Sequence, residues 1–270
     1  MTGHVGRVAL RVTDLDRTVA FYEDVIGLET LSRDGDRAVL GVDEPLLILQ
    51  RSDRPARGPD ETGLFHTAFR VPSRAALGDA LARIEAAWRL DGASDHHVSE
   101  ALYLRDPEDN GIEVYCDRPQ TEWPTTDDGR VEMDTLPLAL DPLRDAAAGD
   151  DRAPSGTTVG HVHLEVSDLD AARSFYADDL GLNVRASMSG ALFLAFGDYH
   201  HHVGANVWND RSTPPDGRGL AWVELVTNDA DAIRSRIDTV TAREEGFEVV
   251  DPDGITIRVR RPASHPPSGR

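Results

Sequence analysis

The chain contains no lysine; its 28 basic side chains other than histidine are all arginine. It has a single cysteine, Cys116, which excludes a disulfide framework or a cysteine-rich zinc site within one chain. Any metal must therefore be held by histidine and carboxylate. No apolar run reaches the roughly 18 residues that a membrane-spanning helix needs. The opening MTGHVGRVALRV lacks the basic start, apolar stretch and small-residue cleavage site of a secretory signal. It passes straight into a strand-like pattern, and a cytoplasmic location is expected. Aromatic residues are scarce, at 6%. That argues against a metal-free module that sequesters flat ligands in an aromatic cleft.

Acidic residues are what the chain has in excess. Asp and Glu number 48, and the formal charge is −20 over 270 residues. The acidic residues are spread along the whole chain rather than gathered in a tail. Such a surface repels nucleic acid and anionic membranes. Concentrated salt would screen its self-repulsion. With lysine absent as well, a salt-loving host is expected.

The chain repeats itself. VGRVALRVTDLDRTVAFYEDVIGLET from Val5 aligns without a gap with VGHVHLEVSDLDAARSFYADDLGLNV from Val159. Each copy reads as an alternating strand, an Asp-Leu-Asp turn that caps a helix, a helix ending in Phe-Tyr, and a Gly-Leu stop. Phe21-Tyr22 and Phe175-Tyr176 recur at one position and are read as core packing. The Asp-Leu-Asp turns are caps and not calcium loops, which need spaced carboxylates around a Gly turn. A second pair begins at Gly63 and Gly219 and ends in the turn-strands DPEDNGIEVY and DPDGITIRV. The expected fold is α+β: four βαβββ modules at 5–51, 63–118, 157–210 and 217–262. They fall in an N-terminal domain 1–118 and a C-terminal domain 157–262, with a linker 119–156 and a tail 263–270. One module cannot cover its own concave sheet, so modules must pair, and a cleft between two of them is a natural ligand site.

Eight of the ten histidines lie in three places: His66, His96 with His97, and the group His161, His163, His200, His201 and His202. At the first-strand position the four modules carry Arg7, His66, His161 and Trp222. At the last-strand position the second and fourth carry Glu113 and Thr256. His66, Glu113 and His161 would form a facial triad of two imidazoles and one carboxylate. It leaves positions open on one side and suits iron(II) that must bind a substrate and O2 together; manganese(II) also fits the ligand set. The triad closes only if the second and third modules share a cleft. Strand alternation places His200 and His202 on one face and His201 on the other.

The whole chain resembles the two-domain vicinal oxygen chelate proteins, and its second module resembles the catalytic module of type I extradiol dioxygenases. The resemblance rests on Asp95-His96-His97-Val98-Ser99, on Tyr103 ten residues before Glu113, and on Gly111-Ile112-Glu113-Val114-Tyr115. In the third module, Gly160-His161-Val162 is similar to the first ligand strand, and Tyr199 to Gly204 to the strand bearing the acid-base histidine. The order differs from the best-known members, because here the first-ligand module follows the second. The resemblance implies an iron(II) enzyme that cleaves catechol or a substituted catechol with O2. It implies His66, Glu113 and His161 as ligands. His202 is the candidate acid-base, with His200 as its rival, and His96 and Tyr103 bind the substrate oxygens. His163 and His97 are read as supporting or packed. A homo-oligomer with no nucleic-acid or membrane partner is expected. The same fold also hosts glyoxalase-like isomerases, thiol transferases and metal-free binding proteins, so fold alone does not choose.

Overall fold

The computed structural model describes residues 1–127 and 129–263; of the expected tail, 264–270 lie outside the described residues. The first module runs β1 (Gly3–Val12), α1 (Leu15–Phe21), β2 (Glu29–Asp34), β3 (Arg37–Gly41) and β4 (Pro45–Arg51). The second runs β5 (Gly63–Arg70), α2 (Arg74–Ala87), β6 (Gly92–Asp95), β7 (Ser99–Arg105) and β8 (Gly111–Asp117). Between the halves lie β9 (Leu136–Pro137) and α3 (Leu140–Arg144). The third module has β10 (Thr158–Glu165), α4 (Leu169–Arg173), β11 (Asn183–Met188), β12 (Ala191–Ala195) and β13 (Val203–Asn206). The fourth has β14 (Gly219–Thr227), α5 (Ala230–Arg234), β15 (Thr241–Arg243), β16 (Gly246–Val250) and β17 (Thr256–Arg260).

Local chemistry sets these elements. Asp14 caps α1, its carboxylate accepting from the Arg17 N–H, and Asp168 caps α4 by accepting from Asp170 and Ala171. Both helices loosen into a π turn, at Tyr22–Ile26 and Ser174–Asp179. Gly27 and Gly181, both in the left-handed region, then reverse the chain.

The sheets settle which modules pair. One has the order β15-β16-β17-β14-β1-β4-β3-β2 and joins the fourth module to the first. The other has the order β11-β12-β13-β10-β5-β8-β7-β6-β9 and joins the third to the second. Each sheet is therefore built from both sequence halves, with an antiparallel seam, β1 on β14 and β5 on β10. Contacts within a half run between the sheets. Tyr22 of the first module donates to Asp106 of the second, and Tyr176 of the third donates to Asp251 of the fourth. The recurring Phe-Tyr pairs are thus buried, as expected, and their phenols also tie one sheet to the other.

One equivalence drawn from the sequence needs correction. The Asp106 N–H bonds the Asn110 carbonyl as the Asp251 N–H bonds the Ile255 carbonyl. Thr67 pairs with Ile112 as Val223 pairs with Ile257. Glu113 therefore corresponds to Arg258, not to Thr256. In the sheet of the first and fourth modules the three positions hold Arg7, Trp222 and Arg258. The Arg258 guanidinium lies 4.0 Å from the Trp222 ring centre, and Arg7 pairs with Glu224 at 2.5 Å. No ligand set remains there.

Candidate active site

The register of the second sheet assembles the triad. His161 on β10 faces Ala68 across the seam, and Ala68 sits beside Glu113 in the parallel β5–β8 pair. His66 lies two residues before Ala68, on the same face of β5. As a result His66 Nε2 is 3.0 Å from Glu113 Oε2, His161 Nε2 is 3.2 Å from the same oxygen, and the two imidazole nitrogens are 3.3 Å apart. All three side chains are buried. Among the described residues this is the one cluster whose donor atoms converge closely enough to hold a metal ion.

The electrostatics suit a cation. Burial alone would raise the Glu113 carboxyl, but the imidazoles of His161 and His66 hold it well below the usual range. Burial pushes His161 down to about 4, against the pull of Glu113. The imidazole lone pair is then free at neutral pH, and the carboxylate is charged. Two imidazole nitrogens and one carboxylate oxygen fit iron(II) or manganese(II), which take imidazole and carboxylate together.

Tyr103 faces Glu113 directly across the β7–β8 hairpin, which is the structural meaning of their ten-residue spacing. Its hydroxyl is 2.6 Å from His96 Nε2, and His96 Nδ1 is 2.5 Å from the Asp134 carbonyl. A carbonyl only accepts, so His96 carries its proton on Nδ1, and Tyr103 donates to Nε2. Burial, with Glu113 next in influence, keeps the Tyr103 phenol well above its ordinary value. His163 faces His66 across the seam and lines the same cavity. His97 is exposed and occupies a left-handed turn position at φ 66°, away from the cavity.

The histidine run departs from expectation. It lies just before β13, and His201 is divided from His200 and His202 as alternation sets out, but the cavity takes the face opposite to the one expected. His201 lines the cavity, while the rings of His200 and His202 do not. His202 is buried elsewhere and accepts from the Phe196 N–H, and burial pushes it down to about 3. His200 sits one layer behind the cavity, with its Nδ1 2.7 Å from His201 Nδ1. His201 is the residue missed by choosing the face of His200 and His202; its separation from them by alternation was the available signal.

The cavity holds about 240 Å³. Its apolar walls include Phe65, Met188, Phe193 and Trp208. Met133, Asp134 and Thr135 also line it, from the segment expected to be only a linker. No compositional signal marked them.

The glyoxalase/bleomycin resistance protein/dioxygenase superfamily model matches residues 4–114 and 158–259. The chain belongs to this superfamily. Its relatives include a catechol-2,3-dioxygenase of Bacillus subtilis (strain 168), 38% identical over 268 residues, covering 92% of this chain and 94% of the relative. A biphenyl-2,3-diol 1,2-dioxygenase 3 of Rhodococcus globerulus is 28% identical over 161 residues, covering 55% of this chain and 83% of its own. Among solved structures, glyoxalase I of Zea mays superposes with a TM-score of 0.62 at 16% identity, covering 96% of this chain and 92% of the other. That last likeness shows a shared superfamily fold and nothing finer. Membership accounts for the duplicated modules and the curled half-barrel sheets. No helix among the described residues is long and apolar enough to cross a membrane.

Proposed function

We propose that the chain is a non-haem iron(II) extradiol dioxygenase that cleaves catechol or a substituted catechol with O2, giving a 2-hydroxymuconic semialdehyde-type product. The observation that carries the reading is one small cavity holding His66, Glu113 and His161 together with His201, His96 and Tyr103. An isomerase or transferase needs the ligands but not the other three. The relative named for catechol cleavage, aligned over most of both chains, supports the same reading.

His66, Glu113 and His161 would hold the metal, which when bound supplies Lewis acidity at the catechol oxygens and brings O2 and the ring into electronic contact. The chain's own residues do the rest. His201, with Nδ1 turned back to His200, offers Nε2 to the cavity as the base that takes a phenolic proton and later returns it. Tyr103 donates its hydroxyl hydrogen bond to His96, which leaves its oxygen able to accept from the second substrate hydroxyl. The apolar walls exclude water, which strengthens these polar contacts.

The test is anaerobic loading with iron(II), then catechol and air, with the yellow ring-opened product followed alongside oxygen uptake. One O2 consumed per catechol is the expected result. His66→Ala, Glu113→Ala and His161→Ala should each lose both bound iron and turnover. Tight iron binding with no product from a panel of catechols would instead favour a glyoxalase-like isomerase or transferase.

A further inference from the structure

Behind His201 lies a directed hydrogen-bond chain of which the catalytic reading uses only the first link, the contact with His200. Asp117 ends β8, and its Oδ1 is 3.0 Å from His200 Nε2. Its Oδ2 accepts from the Tyr199 hydroxyl at 2.9 Å, and the Arg70 guanidinium stands 3.5 Å away. The Tyr115 hydroxyl is 2.7 Å from that of Tyr199. The His200 ring is held between neighbours, with ring centres 4.1 Å from Tyr199 and 5.2 Å from Trp123, and its side chain is 1% exposed.

We infer that Asp117 and His200 are positioning residues that fix His201 in the tautomer whose bare nitrogen faces the cavity. A carboxylate only accepts, so the contact with Asp117 requires the proton of neutral His200 to be on Nε2. His200 Nδ1 is then a lone pair. The nitrogen 2.7 Å away, His201 Nδ1, must supply the hydrogen of that bond. With Nδ1 protonated, neutral His201 carries its lone pair on Nε2. Tyr199, donating to the same carboxylate, and Arg70, facing it, leave Asp117 no reason to reverse the chain. The arrangement matches a general rule for working imidazoles: the bond made by one ring nitrogen sets the state of the other. The inference rests on the reading of His201 as the base, but its structural half can be measured without turnover.

The experiment is nitrogen-15 NMR of the histidine-labelled full chain, loaded with diamagnetic zinc(II). His201 should show a protonated Nδ1 and a lone-pair Nε2. Asp117→Leu removes the acceptor, and His200→Phe removes the next link; each should give mixed or reversed His201 tautomers. In the iron(II)-loaded protein with catechol, each should lower kcat by roughly tenfold or more, with KM and iron content little changed. Asp117→Glu should recover part of the loss. A wild-type His201 protonated on Nε2 would overturn the inference even if neither variant folds. So would an unchanged tautomer in Asp117→Leu. A wild-type chain that cleaves no catechol would count against the dioxygenase reading and leave the tautomer result to be judged by the spectra.

Discussion

His201 reaches the cavity because the chain bends between Tyr199 and His202, before β13 begins at Val203. At Val203 the regular ladder takes over, and Gly204 lies opposite His163. Three consecutive imidazoles thus have three surroundings: His201 the cavity, His200 the Asp117 carboxylate, His202 the Phe196 N–H. The kinetics of two variants should separate them. His201→Gln should lower kcat about 100-fold or more, the range lost with a general acid-base. His202→Gln, which keeps an acceptor for Phe196, should stay within about threefold of wild type, since an effect outside the chemistry should not approach that range. Steady-state kinetics on catechol decide it, and the reverse ranking would return the role to His202.

At the scale of elements, the sequence displayed the fold because its punctuation recurs in alternate modules: an Asp cap, a Phe-Tyr pair and a glycine stop in the first and third, and an Asp-Pro turn before the last strand in the second and fourth. Those signals are local, and local signals survive in sequence. His66, Glu113 and Tyr103 were legible for the same reason, since their spacing is hairpin and strand geometry. Two things were not legible. The bend before β13 depends on tertiary packing. The contribution of Met133, Asp134 and Thr135 depends on where an irregular segment lands; the short β9 pairing with β6, the His96 bond to the Asp134 carbonyl and the Val131 N–H bond to the Arg185 carbonyl anchor it. The match of Glu113 to Arg258, by contrast, was legible, since a gapless count from Asp106 and Asp251 of the two Asp-Pro turns gives it. Gly160 shows how tightly the repeated frame is used: a Cβ there would lie 1.8 Å from the Tyr115 hydroxyl. At the repeat-equivalent Gly6 it would lie 2.4 Å from a Glu224 oxygen. Both glycines let a polar side chain cross the strand. Gly160→Ala should therefore destabilise the protein by about 1–3 kcal/mol, the usual cost of overpacking. Urea unfolding of the metal-free protein measures this, and an unchanged midpoint would mean that Tyr115 can move without cost.

At the scale of the whole molecule, charge connects the surface to the cavity. With 48 carboxylates against 28 arginines, 20 negative charges have no partner of opposite sign. Their mutual repulsion opposes the compact state and is weakened by salt. Raising NaCl from about 0.1 M to about 1 M, where the screening length falls from about 10 Å to about 3 Å, should raise the melting temperature. A rise of about 5 °C would correspond to roughly 2 kcal/mol for a chain of this size. A flat response would count against a salt-loving origin. The same field bears on substrate choice. Among the described residues no arginine lines the cavity, whose walls are mainly apolar and whose acidic wall residues are Glu113 and Asp134. A catechol bearing a carboxylate would approach an acidic molecule and then leave water with no side-chain cation to meet it, the metal being taken by the catechol oxygens. Burying an unpaired charge costs several kcal/mol. Uncharged catechols should therefore be cleaved with kcat/KM at least about tenfold above that of 3,4-dihydroxybenzoate, since tenfold corresponds to only about 1.4 kcal/mol. Met188→Arg, which places a guanidinium in the cavity wall, should raise kcat/KM for the acid and lower it for 4-methylcatechol. The comparison is made at high salt, so that screening removes long-range repulsion and the ratio reports the cavity. Equal efficiency on both substrates there would mean that the carboxylate stays in solvent at the mouth, beside the half-exposed Met188 and Trp208.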